Sequence, residues 1–239
     1  MPPVRVRYQT LEFDGVDIHV RTLRDKQQFA DDGRRAELLG ICSASWPLFG
    51  VIWESGEVLA RLMFAREVDG LRILEVGCGI GLASLVLGYR RANITATDHH
   101  PEAGEFLSGN VALNGLQDIP FLCTGWQQTN TILGRFDLII GSDILYDHGT
   151  VDTLFAFIER HARASCEVVI VDPGRGLEGR FKRSMETHGY TTSESVPDVS
   201  VPALKGVRGR ILTFTRRPEP LPCTSNASGH ALPDCGLPS

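Results

Sequence analysis

The sequence predicts an α/β protein built on a doubly wound, mainly parallel sheet. Three observations carry this. Residues 71–88, LRILEVGCGIGLASLVLG, pass from an apolar segment of strand length through Gly77, Gly79 and Gly81. They then enter a helical pattern of Leu82, Ala83, Leu85, Val86 and Leu87. Further on, short apolar runs alternate with helix-length segments, which is the signature of parallel strands joined by crossover helices. Within that alternation the run FDLIIGS at 136–142 is apolar almost throughout, as a strand covered on both faces should be.

In chain order, residues 4–20 alternate weakly around Asp14-Gly15, a dipeptide that favours a two-residue hairpin turn. Residues 25–35 are polar and read as a loop or short helix. Trp46-Pro47 introduces LFGVIWESGEVLARLMF, in which 56–64 has helical spacing with Ser55 as a candidate N-cap. The first core strand is expected at 71–76, with the helix after the glycines running up to Gly88. Strand two follows at 93–98. A helix is expected at 101–113, with Pro101 near its first turn and Gly115 just past its end. Strand three at 121–124, strand four at 136–142, a helix at 151–163, strand five at 167–172 and a helix at 179–188 continue the pattern. Segments 190–196 and 210–214 read as a closing antiparallel pair. The stretch from residue 218, rich in Pro, Ser and Gly and without periodicity, reads as disordered. The expected organisation is an N-terminal extension over 1–45, a main domain over 46–217 and a tail over 218–239.

Composition narrows the function classes. A chain of 239 residues suits one α/β domain with additions. A formal net charge of −5 argues against a general nucleic-acid binder, which would carry a basic face. No apolar run approaches the roughly 20 residues that span a membrane, so no membrane association is expected. MPPVRVRYQT lacks the hydrophobic centre of a signal peptide. Six cysteines are scattered without a C-x-x-C pair, which fits reduced thiols in a cytoplasmic protein better than a disulfide frame or a zinc site. A monomer is expected. The histidines show no metal-ligand spacing, and no metal is expected.

A strand, a glycine turn and a helix in that order present backbone N–H groups to a nucleotide-like ligand. A dinucleotide fingerprint would place its third glycine at position 82, which is Leu82. Here the third glycine is Gly81, an acid (Glu75) stands two before the first glycine, and Asp98 ends the next strand. A carboxylate at that tip suits a ribose diol. Four places should converge beyond the carboxyl ends of the strands: the glycine turn, Asp98, Gly125-Trp126, and SDILYD at 142–147. From the last, Asp143 could accept a hydrogen bond from an incoming amine. Tyr146 could add a hydrogen bond or a cation–π contact. The plainer roles are a cap for Asp143 and packing for Tyr146.

E-x-G-x-G-x-G with a downstream Asp resembles motifs I and II of the class I S-adenosylmethionine (SAM) methyltransferases. W-x-x-G-x-x-L-A (Trp53, Gly56, Leu59, Ala60) before the glycines and D-x-x-Y (Asp143, Tyr146) after strand four are similar to the seven-β-strand protein-lysine methyltransferases. The resemblance runs over about 46–172. It implies a Rossmann-like seven-stranded fold, SAM as cofactor, and a protein lysine as acceptor. It also implies that Trp53 lies against the methionine part of SAM, and that Gly77 and Gly79 line the cofactor together with Glu75, Cys78 and Gly81. Asp98 would hold the ribose, Trp126 and Ser142 would flank the adenine and sulfonium, and Asp143 and Tyr146 would act on the substrate. The family often has Asp before the tryptophan, where this chain has Gly125. VVIVDPGRG at 168–176 is similar to the end of strand five in the branch that methylates the electron-transfer flavoprotein β-subunit. Arg175 there reads equally as a contact for a carboxylate-bearing partner and as a solvated turn residue. A lysine ammonium, with a pKa of about 10.4, must lose its proton before it attacks. A partly desolvated pocket lowers that pKa, and Asp143 would hold the neutral amine.

The alternatives are a small-molecule N-methyltransferase, a non-catalytic module of the same fold, and a nicotinamide enzyme, the last opposed by Leu82. His99 and His100 follow Asp98 and could contact adenine, though adjacent histidines in a turn read more readily as solvated. Lys205, Arg208, Arg210, Arg216 and Arg217 read as a solvated basic edge or a guide for an acidic protein.

Overall fold

The computed structural model describes residues 5–24, 31, 34–43, 46, 48–129, 132–146, 148–198, 204, 206 and 208–217. The expectations for the tail at 218–239, for most of 25–33, for Asp147 and for Lys205 lie outside the described residues.

The chain opens with a hairpin of β1 (Val6–Phe13) and β2 (Val16–Leu23), paired so that Phe13 faces Val16. Asp14 and Gly15 both take positive φ, 47° and 85°, the turn whose twist matches that of the strands it joins. A single helical turn, α1 (Arg35–Leu38), precedes the main domain.

Seven strands among the described residues form the central sheet: β3 (Arg72–Val76), β4 (Asn93–Asp98), β5 (Phe121–Cys123), β6 (Phe136–Ser142), β7 (Ala162–Asp172), β8 (Thr191–Ser195) and β9 (Arg210–Arg216). Their order is β5-β4-β3-β6-β7-β9-β8. The first five are mutually parallel, and β9 lies antiparallel between β7 and β8. Because consecutive side chains along a strand point to opposite faces, the sheet feeds two cores. Ile73, Leu138 and Ile140 face α2 (Glu54–Ala65), α3 (Leu82–Tyr89), α4 (Ala103–Leu113) and the hairpin. Leu74, Ile139 and Phe214 face α5 (His148–His161) and α6 (Glu178–Thr187). The expected seven-stranded, doubly wound sheet with an N-terminal hairpin is what the chain forms. No helix of the described residues is long and apolar enough to cross a membrane.

Three boundaries differ from the sequence expectation. Helix α2 begins at Glu54 with Trp53 at the N-cap position, so Ser55 lies inside the first turn, buried, and is not the cap. The first turn is polar and carries no apolar period to read. Helix α3 continues through Gly88, where a Cβ would meet Ile119 Cδ1 at 2.9 Å, so this glycine serves close packing and does not end the helix. Strand β7 starts at Ala162, and α5 ends at His161. Residues 163–165 are exposed and polar or small, so the start of β7 has no apolar signature, and its register against β6 slips between Phe136 and Leu138.

Two features tie the parts together. Asn110 on α4 and Asn114 at its C-cap, four residues on, pair their side-chain amides with the outer edge of β2. Asn110 accepts from Arg21 N–H (2.6 Å) and donates to Arg21 C=O (3.3 Å). Asn114 does the same at His19, at 2.8 and 2.6 Å. An edge that would otherwise present unpaired groups is thereby closed onto the domain. Inside, the buried Glu75 of β3 accepts hydrogen bonds from Ser84 N–H (2.9 Å) and Ser84 Oγ, fixing α3 to its strand. Burial outweighs those bonds and pushes the Glu75 carboxyl up to about 7.

Replacing the buried Asn110 by Ala leaves the half-buried Arg21 peptide group without its partners and should cost about 2 kcal/mol. In thermal denaturation that corresponds to a fall in Tm of about 4–8 °C for a chain of this size. For Glu75, the folded state holds the proton more tightly than the unfolded chain, so its contribution to stability declines as pH rises from about 4.5 through about 7. Glu75→Gln removes this slope. Urea unfolding at pH 5 and pH 7 should show the wild type losing stability relative to Glu75→Gln, by a difference on the order of 3 kcal/mol or less.

Candidate active site

The parallel register brings the carboxyl ends of five strands to one edge. Val76 pairs with Thr97 and with Gly141, Asp98 with Cys123, and Ser142 with Val171. The order reverses at β3, whose neighbours β4 and β6 carry their crossovers to opposite faces. A crevice opens at such a switch point.

On the β4 side lies the glycine turn. Gly77, Gly79 and Gly81 have φ of 64°, 56° and 76°. A Cβ at Gly77 would stand 2.8 Å from Ile144 Cγ2, and at Gly79 2.9 Å from the Phe49 carbonyl oxygen. The turn is tied to β4 by Cys78 N–H donating to Thr97 C=O at 3.0 Å. The Cys78 thiol is buried and pushed well above its usual pKa by desolvation, so it is no nucleophile. Asp98 accepts from Gly79 N–H through Oδ2 (2.8 Å) and from His100 N–H through Oδ1 (2.7 Å). Burial raises the Asp98 carboxyl and these backbone donors oppose the rise. Each oxygen keeps a second lone pair for a ligand.

The histidine expectation fails at His100. Its ring is buried and stacked on Phe49 at 4.0 Å, and desolvation pushes it down to about 4, so it is neutral at neutral pH. The aromatic face that covers it came from a distant loop. Across the crevice the half-buried Trp126 ring lies 6.3 Å from the ring of Tyr146, and its backbone carbonyl accepts from Arg160 (2.8 Å).

On the β6–β7 side is a cavity of about 390 Å³ lined by Trp53, Glu54, Asp143, Pro173, Arg175 and Arg208, among others. Asp143 sits just past β6 with φ 55°, a left-handed conformation that a non-glycine residue takes at a cost of order 1 kcal/mol. Its N–H donates to Val171 C=O at 2.9 Å. Its Oδ1 receives both Arg175 Nη2 (2.6 Å) and Arg175 Nε (2.8 Å). The turn carrying Arg175 is capped by the buried Asp172, whose Oδ1 accepts from Gly174 N–H (2.7 Å) and Arg175 N–H (3.3 Å). Trp53 donates its indole N–H to Leu48 C=O at 3.0 Å. A Cβ on Gly56 would lie 3.6 Å from Ser142 Oγ, which places the first turn of α2 over the end of β6.

The sequence-derived residues thus fall into two groups. Trp53 and Asp143 share the cavity, and Arg175, which sequence left evenly weighed, joins them. Gly77, Asp98 and Trp126 form the other group, with Tyr146 beside Trp126; none of the four lines the cavity. Glu75 stands behind the turn, engaged with Ser84. Phe49 and Asp172 were not found from sequence. An acid at a strand tip, the signal that located Asp98, was present at Asp172; Phe49 carried none. The basic cluster does not form one patch among the described residues: Arg210 pairs with Glu194, Arg216 with Glu159, and Arg208 reaches the cavity.

Residues 47–186 match a family model described as lysine methyltransferase. The electron transfer flavoprotein beta subunit lysine methyltransferase of Rattus norvegicus is 34% identical over 133 residues, covering 54% of this chain and 51% of that protein. The protein N-lysine methyltransferase METTL21A of Danio rerio is 34% identical over 140 residues, covering 54% of this chain and 63% of that protein. The chain spans about half the length of the first of these relatives. Among solved structures, the magnesium protoporphyrin IX methyltransferase of Synechocystis with bound SAM superposes with a TM-score of 0.53 at 16% identity, covering 68% of this chain and 77% of that one, a likeness of fold. With more than half of its length matched by that model, and with the glycine turn and Asp98 where such a fold needs them, the chain belongs to the lysine methyltransferase family.

Proposed function

We propose that the protein is a SAM-dependent N-methyltransferase whose acceptor is a lysine side chain of another protein, with residues 46–217 as the transferase domain and 1–45 as an extension. The observation that carries this reading is Asp143, a carboxylate held by a left-handed backbone at the mouth of a cavity it shares with Trp53, one strand away from the glycine turn.

The residues present suit SAM. The left-handed glycines let a ligand come close to the backbone at the β3–α3 turn. Asp98 keeps lone pairs for a diol. Trp126 supplies an aromatic face beside Gly77, and Ser142 a hydroxyl at the end of β6. Cys78 and Gly81 complete the turn. SAM supplies a methyl group on an activated sulfonium, so the chain's task is alignment and exclusion of water. Trp53 closes the cavity from α2. Asp143 accepts a hydrogen bond from the acceptor nitrogen and aims its lone pair. Tyr146, 53% exposed beside Trp126, meets the substrate at the outer rim. Six cysteines scattered along the sequence without a C-x-x-C pair suit a reducing compartment such as the cytoplasm.

Calorimetric titration with S-adenosylhomocysteine, run beside NADH, should show micromolar binding of the former alone. Transfer of labelled methyl from SAM to protein in a cell extract should follow. Asp143→Ala should lower that transfer at least about 100-fold while S-adenosylhomocysteine affinity stays within about threefold. Equal loss of both would remove the role assigned to Asp143, and no binding of S-adenosylhomocysteine at high micromolar concentration would remove the reading.

A further inference from the structure

We infer that Arg175 is a positioning residue which, by neutralising Asp143, makes the cavity select an uncharged amine over an ammonium ion. The inference rests on the function proposed above and adds to it the protonation state of the acceptor that the site admits.

A lone carboxylate beside an amine stabilises the ammonium form and raises its pKa, the opposite of what attack by nitrogen requires. In this site the carboxylate is not alone. Two guanidinium donors converge on Oδ1, at 2.6 and 2.8 Å, and neither is placed on Oδ2. That leaves one oxygen to accept an N–H while the charge of the carboxylate is met by Arg175. Asp143 is the sheltered partner, with 12% of its side chain accessible, while Arg175 covers it from the solvent side at 46%. The guanidinium is itself held in place: Asp172, at the end of β7, accepts the backbone N–H groups of Gly174 and Arg175 and so fixes the turn that presents it.

The other charges around the cavity do not undo this balance. Glu54 enters from α2 and Arg208 from the approach to β9, one of each sign. Asp172 lies buried behind the turn and does not line the cavity; desolvation pushes its carboxyl up, against the Gly174 and Arg175 N–H groups it accepts. With one Glu and one Arg on its wall beside the Asp143–Arg175 pair, the cavity presents a lysine tip with no excess of negative side chains. There the neutral amine loses less by leaving water than the ammonium does.

The test uses the full chain saturated with S-adenosylhomocysteine and n-butylamine as the probe, with affinity read by ligand-observed NMR at pH 7 and pH 9. Below an alkylamine pKa of about 10.4 the neutral fraction grows tenfold per pH unit, so wild-type affinity should rise about 100-fold between the two. Arg175→Gln should bind the probe more tightly than wild type at pH 7 and gain less than about tenfold by pH 9, because the uncompensated Asp143 then holds the ammonium. Arg175→Lys, which keeps the charge, should restore the wild-type slope. An Arg175→Gln slope equal to wild type, a flat wild-type profile, or no binding of n-butylamine at either pH would overturn the inference. Binding of S-adenosylhomocysteine separates the two levels. Its absence in the wild type overturns the proposed function, whereas its presence with any of those three results overturns the role of Arg175 alone. Should Arg175→Gln lose S-adenosylhomocysteine binding through misfolding, Arg175→Met makes the same comparison.

Discussion

The chain must leave β3 and enter α3 within the five residues 77–81, and this tight reversal is the constraint on which the rest of the site depends. The path taken puts Gly77, Gly79 and Gly81 in left-handed backbone conformations. A side chain at any of them would be strained, and it would also collide with Ile144, with the Phe49 carbonyl or with Leu107. The turn is then held from both sides. Asp98 grips Gly79 N–H from the next strand, and Glu75 reaches from β3 to Ser84 on the far side of the turn. One carboxylate faces the crevice and one faces the core, so the same turn is both an anchor for α3 and a platform for a ligand.

The segment 48–53 links the two halves of the site. Phe49 sets its carbonyl against Gly79 and its ring against His100, while Trp53, four residues later, reaches the cavity and is steadied by Leu48. Ile144 makes a similar link after β6, covering Gly77 one residue beyond Asp143. A displacement of either link would therefore alter the glycine turn and the cavity together. The left-handed Asp143 belongs to this arrangement. Its backbone is held by Val171 and its carboxylate by Arg175, and together these two contacts support a conformation that isolated Asp visits rarely.

Strand four shows why so much of the fold was legible. FDLIIGS is apolar because both of its faces are covered, and its predicted limits coincide with β6. The limits expected for strand two also coincide with those of β4, Asn93–Asp98, and the hairpin turn at Asp14-Gly15 follows from which residues tolerate positive φ. The failures are equally specific. The start of β7 is exposed on an otherwise buried strand, so its residues are not apolar. The first turn of α2 is polar, with Glu54 and Ser55 lining the cavity, so no apolar period marks the start of the helix and Ser55 lies one residue inside it.

By itself the sequence determined the strand–turn–helix units, the alternation that makes the sheet parallel, and the acid at the tip of β4. These depend on local backbone preference and on period, which neighbouring residues record. Only the tertiary structure decided that Arg175 meets Asp143 across 32 positions, that Tyr146 stands beside Trp126 and not in the cavity, and that Phe49 covers His100. Each of these is a contact between chain segments brought together by strand order and register. Nothing in the period or composition of either segment encodes its partner.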